Sequence, residues 1–176
     1  MLIKVKGTIE FQPEDKTKKH ISQASWKRVA MIKTEDDLCE YYAWFIKKRF
    51  SLELNKPIRG SHVTIINDSE REMPNFSDAL PIFEGKDIEF YIDPEPRTNG
   101  EHWWLRVYCP DAESIREICG GKREPYFAFH LTLGYASHHR LAHSMYVLEI
   151  CKRHEIISSE PRRPMNDHDI FEFVDC

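Results

Sequence analysis

Two histidine–threonine pairs occur in the chain, each with one apolar residue between the two polar ones. His62 and Thr64 lie in SHVTIIN, and His130 and Thr132 lie in FHLTLGY. Because side chains alternate along a strand, each pair occupies one strand face while its apolar neighbours point to the other. A strand that buries its apolar face would leave the imidazole and the hydroxyl together on the face that meets a ligand.

Two such pairs suit phosphoryl transfer without a metal. A neutral imidazole can take a proton from an attacking water or hydroxyl, while a second, protonated imidazole gives one to the departing oxygen. Threonine hydroxyls can donate to the non-bridging phosphate oxygens, where negative charge accumulates. We therefore predict His62, Thr64, His130 and Thr132 as catalytic residues, and the sequence leaves open which histidine is the acid and which the base.

Aromatic and basic residues are expected on the same face of two further strands. Segments 26–33 and 102–109 are predicted as strands and contain the similar fragments WKRV and WLRV. Aromatic rings there could hold a nucleobase by stacking. The predicted substrate-binding residues are Trp104, Arg106, Tyr108, Tyr126 and Arg28, with Trp26 on the same face. The alternative is a solvated sheet face on which an arginine stacks on an aromatic ring.

The faces and the order of the predicted elements indicate an internal duplication. A strand, a helix and a strand bearing His-x-Thr occur over residues 26–66 and again over residues 104–135. Strands at 3–11 and 88–92, a loop at 68–80, a helix at 139–154 and a tail with an edge strand complete the prediction. The residues expected to be buried are Leu38, Tyr42 and Phe45 on the first helix, and Val29, Met31, Val63, Ile65, Leu105, Val107, Cys109, Phe127, Phe129, Leu131 and Leu133 on the strands.

The paired motifs HVTI at 62–65 and HLTL at 130–133 resemble those of the 2H phosphoesterases. The resemblance covers most of the chain from residue 26 to the helix after Tyr135. It implies an α+β, bilobal fold with two antiparallel sheets around a central cleft. The whole chain, 1–176, would then be one domain, with lobes at about residues 12–80 and 84–155.

The same resemblance implies a function. One histidine would be the general base and the other the general acid, with both threonines holding phosphate. The family acts on 2′,3′-cyclic phosphates, RNA ends, 2′,5′ linkages or cyclic oligonucleotides, and phage-encoded members degrade cyclic oligonucleotides. The first motif lacks the longer LHLTLKFLG-like form of the bacterial RNA ligase-like branch, so the 2′,5′ activity of that branch is not carried over.

Composition and net charge limit the class of binding partner. A chain of 176 residues with a net charge of −4 argues against coating long nucleic acid, which depends on many basic contacts to phosphate. A small nucleotide or cyclic oligonucleotide, or an RNA end, is the expected partner. The five cysteines show no disulfide or zinc spacing, and no signal peptide or membrane-spanning run is present. We expect a cytoplasmic monomer with no cofactor and no membrane partner.

The sequence is compatible with other hypotheses about the sites and the function of this chain. His139 and His143 could share a helix face as zinc ligands, although no third ligand follows at a known spacing, so no metal is expected. Lys122 and Arg123 could hold an anion, but a surface turn is the simpler account. The chain could also be a binding module that sequesters a cyclic nucleotide, an RNA-end processing or ligase-like enzyme, or a structural protein in which the repeat serves only packing.

Overall fold

The computed structural model describes residues 1–13, 28–57, 59–67 and 73–136. The strands in these ranges are β1 (Ile3–Phe11), β2 (Ala30–Lys33), β3 (Leu54–Asn55), β4 (His62–Ile66), β5 (Asp87–Ile92), β6 (Arg97–Thr98), β7 (His102–Tyr108) and β8 (His130–Ala136). The helices are α1 (Asp37–Phe50), α2 (Phe76–Phe83) and α3 (Pro110–Ile118). The helix predicted at 139–154, the tail and Trp26 lie outside the described residues.

The strands belong to one sheet that closes on itself. Their order is β3-β8-β4-β2-β1-β5-β7-β6, and β7 also pairs with β8, so that six of them form an antiparallel barrel. The chain is therefore an α+β protein, but the predicted bilobal pair of antiparallel sheets around a cleft is wrong. The physical reason is that β4 and β8, which were expected in separate sheets, form hydrogen bonds with each other.

The first of two compact units contains the whole of strands β1, β2, β4 and β5. It comprises Met1–Glu35, His62–Asp93 and Arg106–Leu131, and helices α2 and α3 belong to it. Apolar residues that pair across successive strands share one face and form its core. These cross-strand pairs are Ile9 with Ile32, Ile32 with Val63, Val63 with Leu131, and Ile92 with Val107.

The second unit comprises Asp36–Ser61, Pro94–Leu105 and the chain from Thr132, which is described through Ala136. In it, β3 pairs with the end of β8, and β6 pairs with the start of β7. A Cβ atom at Gly134 would overlap the carbonyl oxygen of Asn55, so glycine at this position permits the close approach of β3. Among helices in the described residues, none is long and apolar enough to cross a membrane.

Helix α1 buries a different stripe from the predicted one. Its buried residues are Cys39, Tyr42, Ile46 and Phe50, so that of the predicted set only Tyr42 is fully buried. The hydroxyl of Tyr42 donates to the carbonyl of Pro94 at 2.7 Å, and the ring of Phe50 lies 5.4 Å from that of Trp103. These tertiary contacts fix the rotation of the helix, which the sequence period leaves uncertain by one position.

The segment predicted as a loop at 68–80 contains the start of α2. Charged and turn-forming residues dominate it, and Pro81 lies inside the helix, where proline normally removes a hydrogen bond. Packing offsets that cost, because Phe76 and Ala79 are buried and the Phe76 ring lies 5.1 Å from the ring of Phe11. Local propensity alone could not reveal this helix.

Strand β4 has a bulge that an arginine from α3 supports. Ala30 pairs with Ile66 and Met31 with Thr64, so Ile65 has no β2 residue directly opposite. Arg116 is 1% exposed, and its Nη1 donates to the carbonyl of Ile65 at 2.7 Å. The guanidinium therefore holds the β4 backbone one residue beyond Thr64.

Replacing Arg116 with methionine, which keeps the apolar stem, should lower the free energy of unfolding by about 1 to 3 kcal/mol, because the buried Ile65 carbonyl loses its donor. Denaturant unfolding measures this change. The matched control is Arg123→Met, because Arg123 pairs with Glu113 and Glu117 at the surface, where such pairs contribute about 0 to 1 kcal/mol. Equal losses in the two variants would contradict the role assigned to Arg116.

Candidate functional site

The two motif strands are direct neighbours, and their register can be read from one pair. Val63 on β4 pairs with Leu131 on β8 in antiparallel orientation. Stepping one residue along each strand places Thr64 opposite His130, on the face away from Val63 and Leu131. His62 shares that face because it lies two residues from Thr64 on β4.

This register makes His62 and His130 diagonal neighbours across the strand pair. Such residues lie about 7 to 8 Å apart in antiparallel sheets. Side chains on one sheet face at this spacing can both contact a single bound group. The first unit thus brings three of the four predicted catalytic residues together on adjacent strands.

Each motif histidine has a basic residue opposite it: that of His62 is on β2, and that of His130 is on β7. Lys33 on β2 pairs with His62. On the other side, the amide of Val107 donates to the carbonyl of Phe129 at 2.8 Å, which places Arg106 of β7 opposite His130. The strand order β2, β4, β8, β7 therefore carries Lys33, His62, His130 and Arg106 on one face.

Lys33 is the residue that the sequence prediction missed. The fragments WKRV and WLRV suggested that Arg28 matches Arg106, but Arg28 precedes β2 by two residues and lies five residues from Lys33 along the chain. Arg28 lies in a turn before β2, so it is not the residue that pairs with His62. Strand register, rather than fragment similarity, would have matched Lys33 with Arg106.

The imidazole of His130 has a defined tautomer. Its Nδ1 lies 2.9 Å from the carbonyl oxygen of Ala128. Because a carbonyl can only accept a hydrogen bond, Nδ1 carries the hydrogen and Nε2 of the neutral ring has a lone pair. Burial lowers the pKa of His130 below its usual 6.5, although the hydrogen bond to Ala128 acts in the opposite direction. The ring is therefore neutral at pH 7.

In the second unit, the amino-terminal end of α1 holds two backbone segments that adjoin the motifs. Asp36 accepts a hydrogen bond from the amide of Ser61 at 2.7 Å. The thiol of Cys39 lies 3.3 Å from the Ser61 hydroxyl and 3.4 Å from the carbonyl of Thr132. Thr132 itself is buried, on the same face of β8 as His130 by strand alternation.

The predicted substrate-binding residues have different surroundings. Arg106 stacks on Tyr108, with its guanidinium carbon 5.1 Å from the ring centroid, which is the arrangement of the alternative interpretation. Trp104 is half-buried in the second unit and pairs with Arg97 of β6. Tyr126 is exposed and forms an edge-to-face contact with Phe127 at 4.7 Å.

The predicted buried face is correct for β7 and wrong for β2. On β7, Trp103, Leu105 and Val107 are buried while Trp104, Arg106 and Tyr108 are more exposed, as predicted. On β2, every residue but Lys33 is buried, and the register puts Ile32, not Met31, on the face of Val63. A strand buried on both sides has no polar alternation from which its face could be read.

The described residues contain no group of three or more His, Cys, Asp or Glu side chains that could hold a metal ion. His139 and His143 lie outside that part of the chain. Burial raises the pKa of the Cys109 thiol, and it raises that of Cys119 to about 11, so both stay protonated and are poor nucleophiles.

Comparison with known proteins gives no relative. No family model matches the chain, and neither a curated protein nor a solved structure is found to be similar to it.

The lowered pKa of His130 predicts a loss of stability in acid. Between the folded pKa and about 6.5 the unfolded chain binds more protons at this site, so the free energy of unfolding falls as the pH drops through that interval. His130→Asn removes the titrating group and keeps an amide donor for the Ala128 carbonyl. Thermal unfolding between pH 7.5 and 5 should show a smaller fall in Tm for the variant, and parallel curves would contradict this assignment.

Proposed function

We propose that the protein is a metal-independent phosphodiesterase that cleaves a cyclic or 2′-hydroxyl-assisted nucleotide phosphodiester. The observation that supports the proposal most directly is the register of β4 and β8. It sets His62 and His130 diagonally across one strand pair, with Thr64 opposite His130. A proton acceptor and a proton donor on opposite sides of one phosphorus atom are what such a reaction requires.

We assign the base to His130 and the acid to His62. The hydrogen bond from Nδ1 of His130 to Ala128 leaves Nε2 of a neutral ring able to accept a proton. As the attacking oxygen bonds to phosphorus, its proton passes to this nitrogen. The bond from phosphorus to the departing oxygen breaks, and protonated His62 supplies the proton that this oxygen needs.

Thr64 and the two basic residues would stabilise the charge on the non-bridging oxygens. The hydroxyl of Thr64 can donate to one of them. Fixed donors of this kind lower the activation barrier by about 2.7 to 4 kcal/mol in known enzymes. Lys33 and Arg106, which lie opposite the two histidines, add positive charge on both sides.

The substrate class follows from the same residues. A site with two imidazoles and flanking cations suits an anionic phosphodiester, and the net charge of −4 favours a small nucleotide over long RNA. Cyclic oligonucleotides and 2′,3′-cyclic phosphates are the substrates we favour. A binding module that sequesters a cyclic nucleotide is the second candidate, because the aromatic and cationic residues of β7 would serve binding equally well.

Replacing His62 or His130 singly with alanine should lower kcat/KM by about 10² to 10⁴-fold, because each removes one proton transfer. The assay is turnover of cyclic dinucleotides, cyclic trinucleotides and RNA with 2′,3′-cyclic ends in EDTA, followed by mass spectrometry. His102→Ala, at the start of β7, is the matched control. Wild-type rates in both motif variants would refute the mechanism, whereas intact ligand bound to wild-type protein would favour the binding module.

The pH profile of kcat/KM should be bell-shaped, because one histidine must be neutral and the other protonated. The acid limb belongs to His130, whose lowered pKa places it below pH 6.5. A profile that stays flat between pH 5 and 9, with chemistry rate-limiting, would exclude this acid–base pair.

Lys33→Met and Arg106→Met should each lower kcat/KM by about tenfold or more, because charge-assisted hydrogen bonds to phosphate are lost. Lys48→Met, in the exposed last turn of α1, is the control and should leave the rate unchanged. If Arg28→Met matched Lys33→Met in its effect, the pairing read from the strand register would be wrong.

A further inference from the structure

We infer that Tyr91 and Tyr108 form a stacking platform for a nucleobase attached to the scissile phosphodiester. The inference rests on the proposed function and adds the part of the substrate that the catalytic residues do not touch. Tyr91 was not predicted from the sequence, and the structure brings it beside Tyr108.

The two residues are directly opposite each other on adjacent strands. Tyr91 of β5 pairs with Tyr108 of β7, and the side chains are 43% and 38% exposed. Two half-exposed aromatic residues paired on one sheet face form an apolar surface that a ligand can contact. The buried neighbours Ile92 and Val107 hold the opposite face in the core.

The platform adjoins the candidate catalytic residues. Tyr108 is two residues from Arg106 on the same face of β7, and Arg106 lies opposite His130. Tyr108 is therefore a diagonal neighbour of His130, at about 7 to 8 Å in an antiparallel sheet. A base attached through its ribose to a phosphate at His130 can reach rings at this distance.

The charges around the rings select a nucleotide over an apolar partner. The guanidinium of Arg106 lies over the Tyr108 ring, with its carbon 5.1 Å from the ring centroid. On the far side, Lys4 lies opposite Tyr91 and its ammonium pairs with Glu89 at 2.5 Å. Aromatic residues combined with nearby cations are the arrangement by which single-stranded nucleotides are bound.

The direct test is a binding measurement that does not depend on turnover. The probe is a dinucleotide monophosphate with 2-aminopurine at either position, whose fluorescence is quenched when the base stacks. Wild-type protein should quench one of the two probes, and Tyr91→Ala and Tyr108→Ala should each weaken its binding about tenfold. The control is Tyr41→Ala, which removes an exposed tyrosine ring from α1. This variant should bind the probe as the wild-type protein does.

Kinetics separate this inference from the proposed function. With diadenosine monophosphate, the tyrosine variants should raise KM about tenfold and leave kcat within about twofold, because stacking acts on binding. With an abasic analogue that lacks the stacked adenine, the wild-type protein and the tyrosine variants should all show the same raised KM. Wild-type KM and quenching in both tyrosine variants would overturn the platform while the histidine variants still test the chemistry. Quenching without turnover of any phosphodiester would overturn the chemistry and keep the platform.

Discussion

The pairing of β4 with β8 is the constraint on which the rest of this structure depends. One pair, Val63 with Leu131, places the apolar residues of both strands in a common core and so fixes which residues share the opposite face. Because the side-chain period of a strand is two, a slip of one residue would move one motif into the core and break the arrangement. The same pairing joins the strands into a barrel where two separate sheets were expected.

The surroundings of β4 and β8 adapt these strands to hold polar groups. The bulge at Ile65 is supported by the buried guanidinium of Arg116, so the backbone beyond Thr64 keeps a hydrogen-bond donor where β2 provides no opposite residue. The Ala128 carbonyl fixes the orientation of the His130 ring and its tautomer. Backbone carbonyls and one arginine thus set the position and protonation of groups that an isolated strand would leave free to rotate.

The predicted internal duplication illustrates what the similarity of two short fragments can and cannot show. The order strand, helix, strand recurs, and β4 and β8 are each flanked by the strand that opens their own repeat. The similar fragments WKRV and WLRV do not reveal the strand register, in which Lys33, and not Arg28, lies opposite His62. A similarity over four residues can arise by chance. Strand register is the more reliable guide, because it is fixed by the packing of a whole sheet face.

The sequence by itself determined the two motifs, most of the strands, and the face of β7, because an exposed polar residue alternating with a buried apolar one is written directly in the chain. It could not decide the barrel closure, the helix at Phe76–Phe83 or the place of Lys33 and Tyr91 beside the candidate site. Those features depend on which strands become neighbours, and that choice is made by packing between residues far apart in sequence.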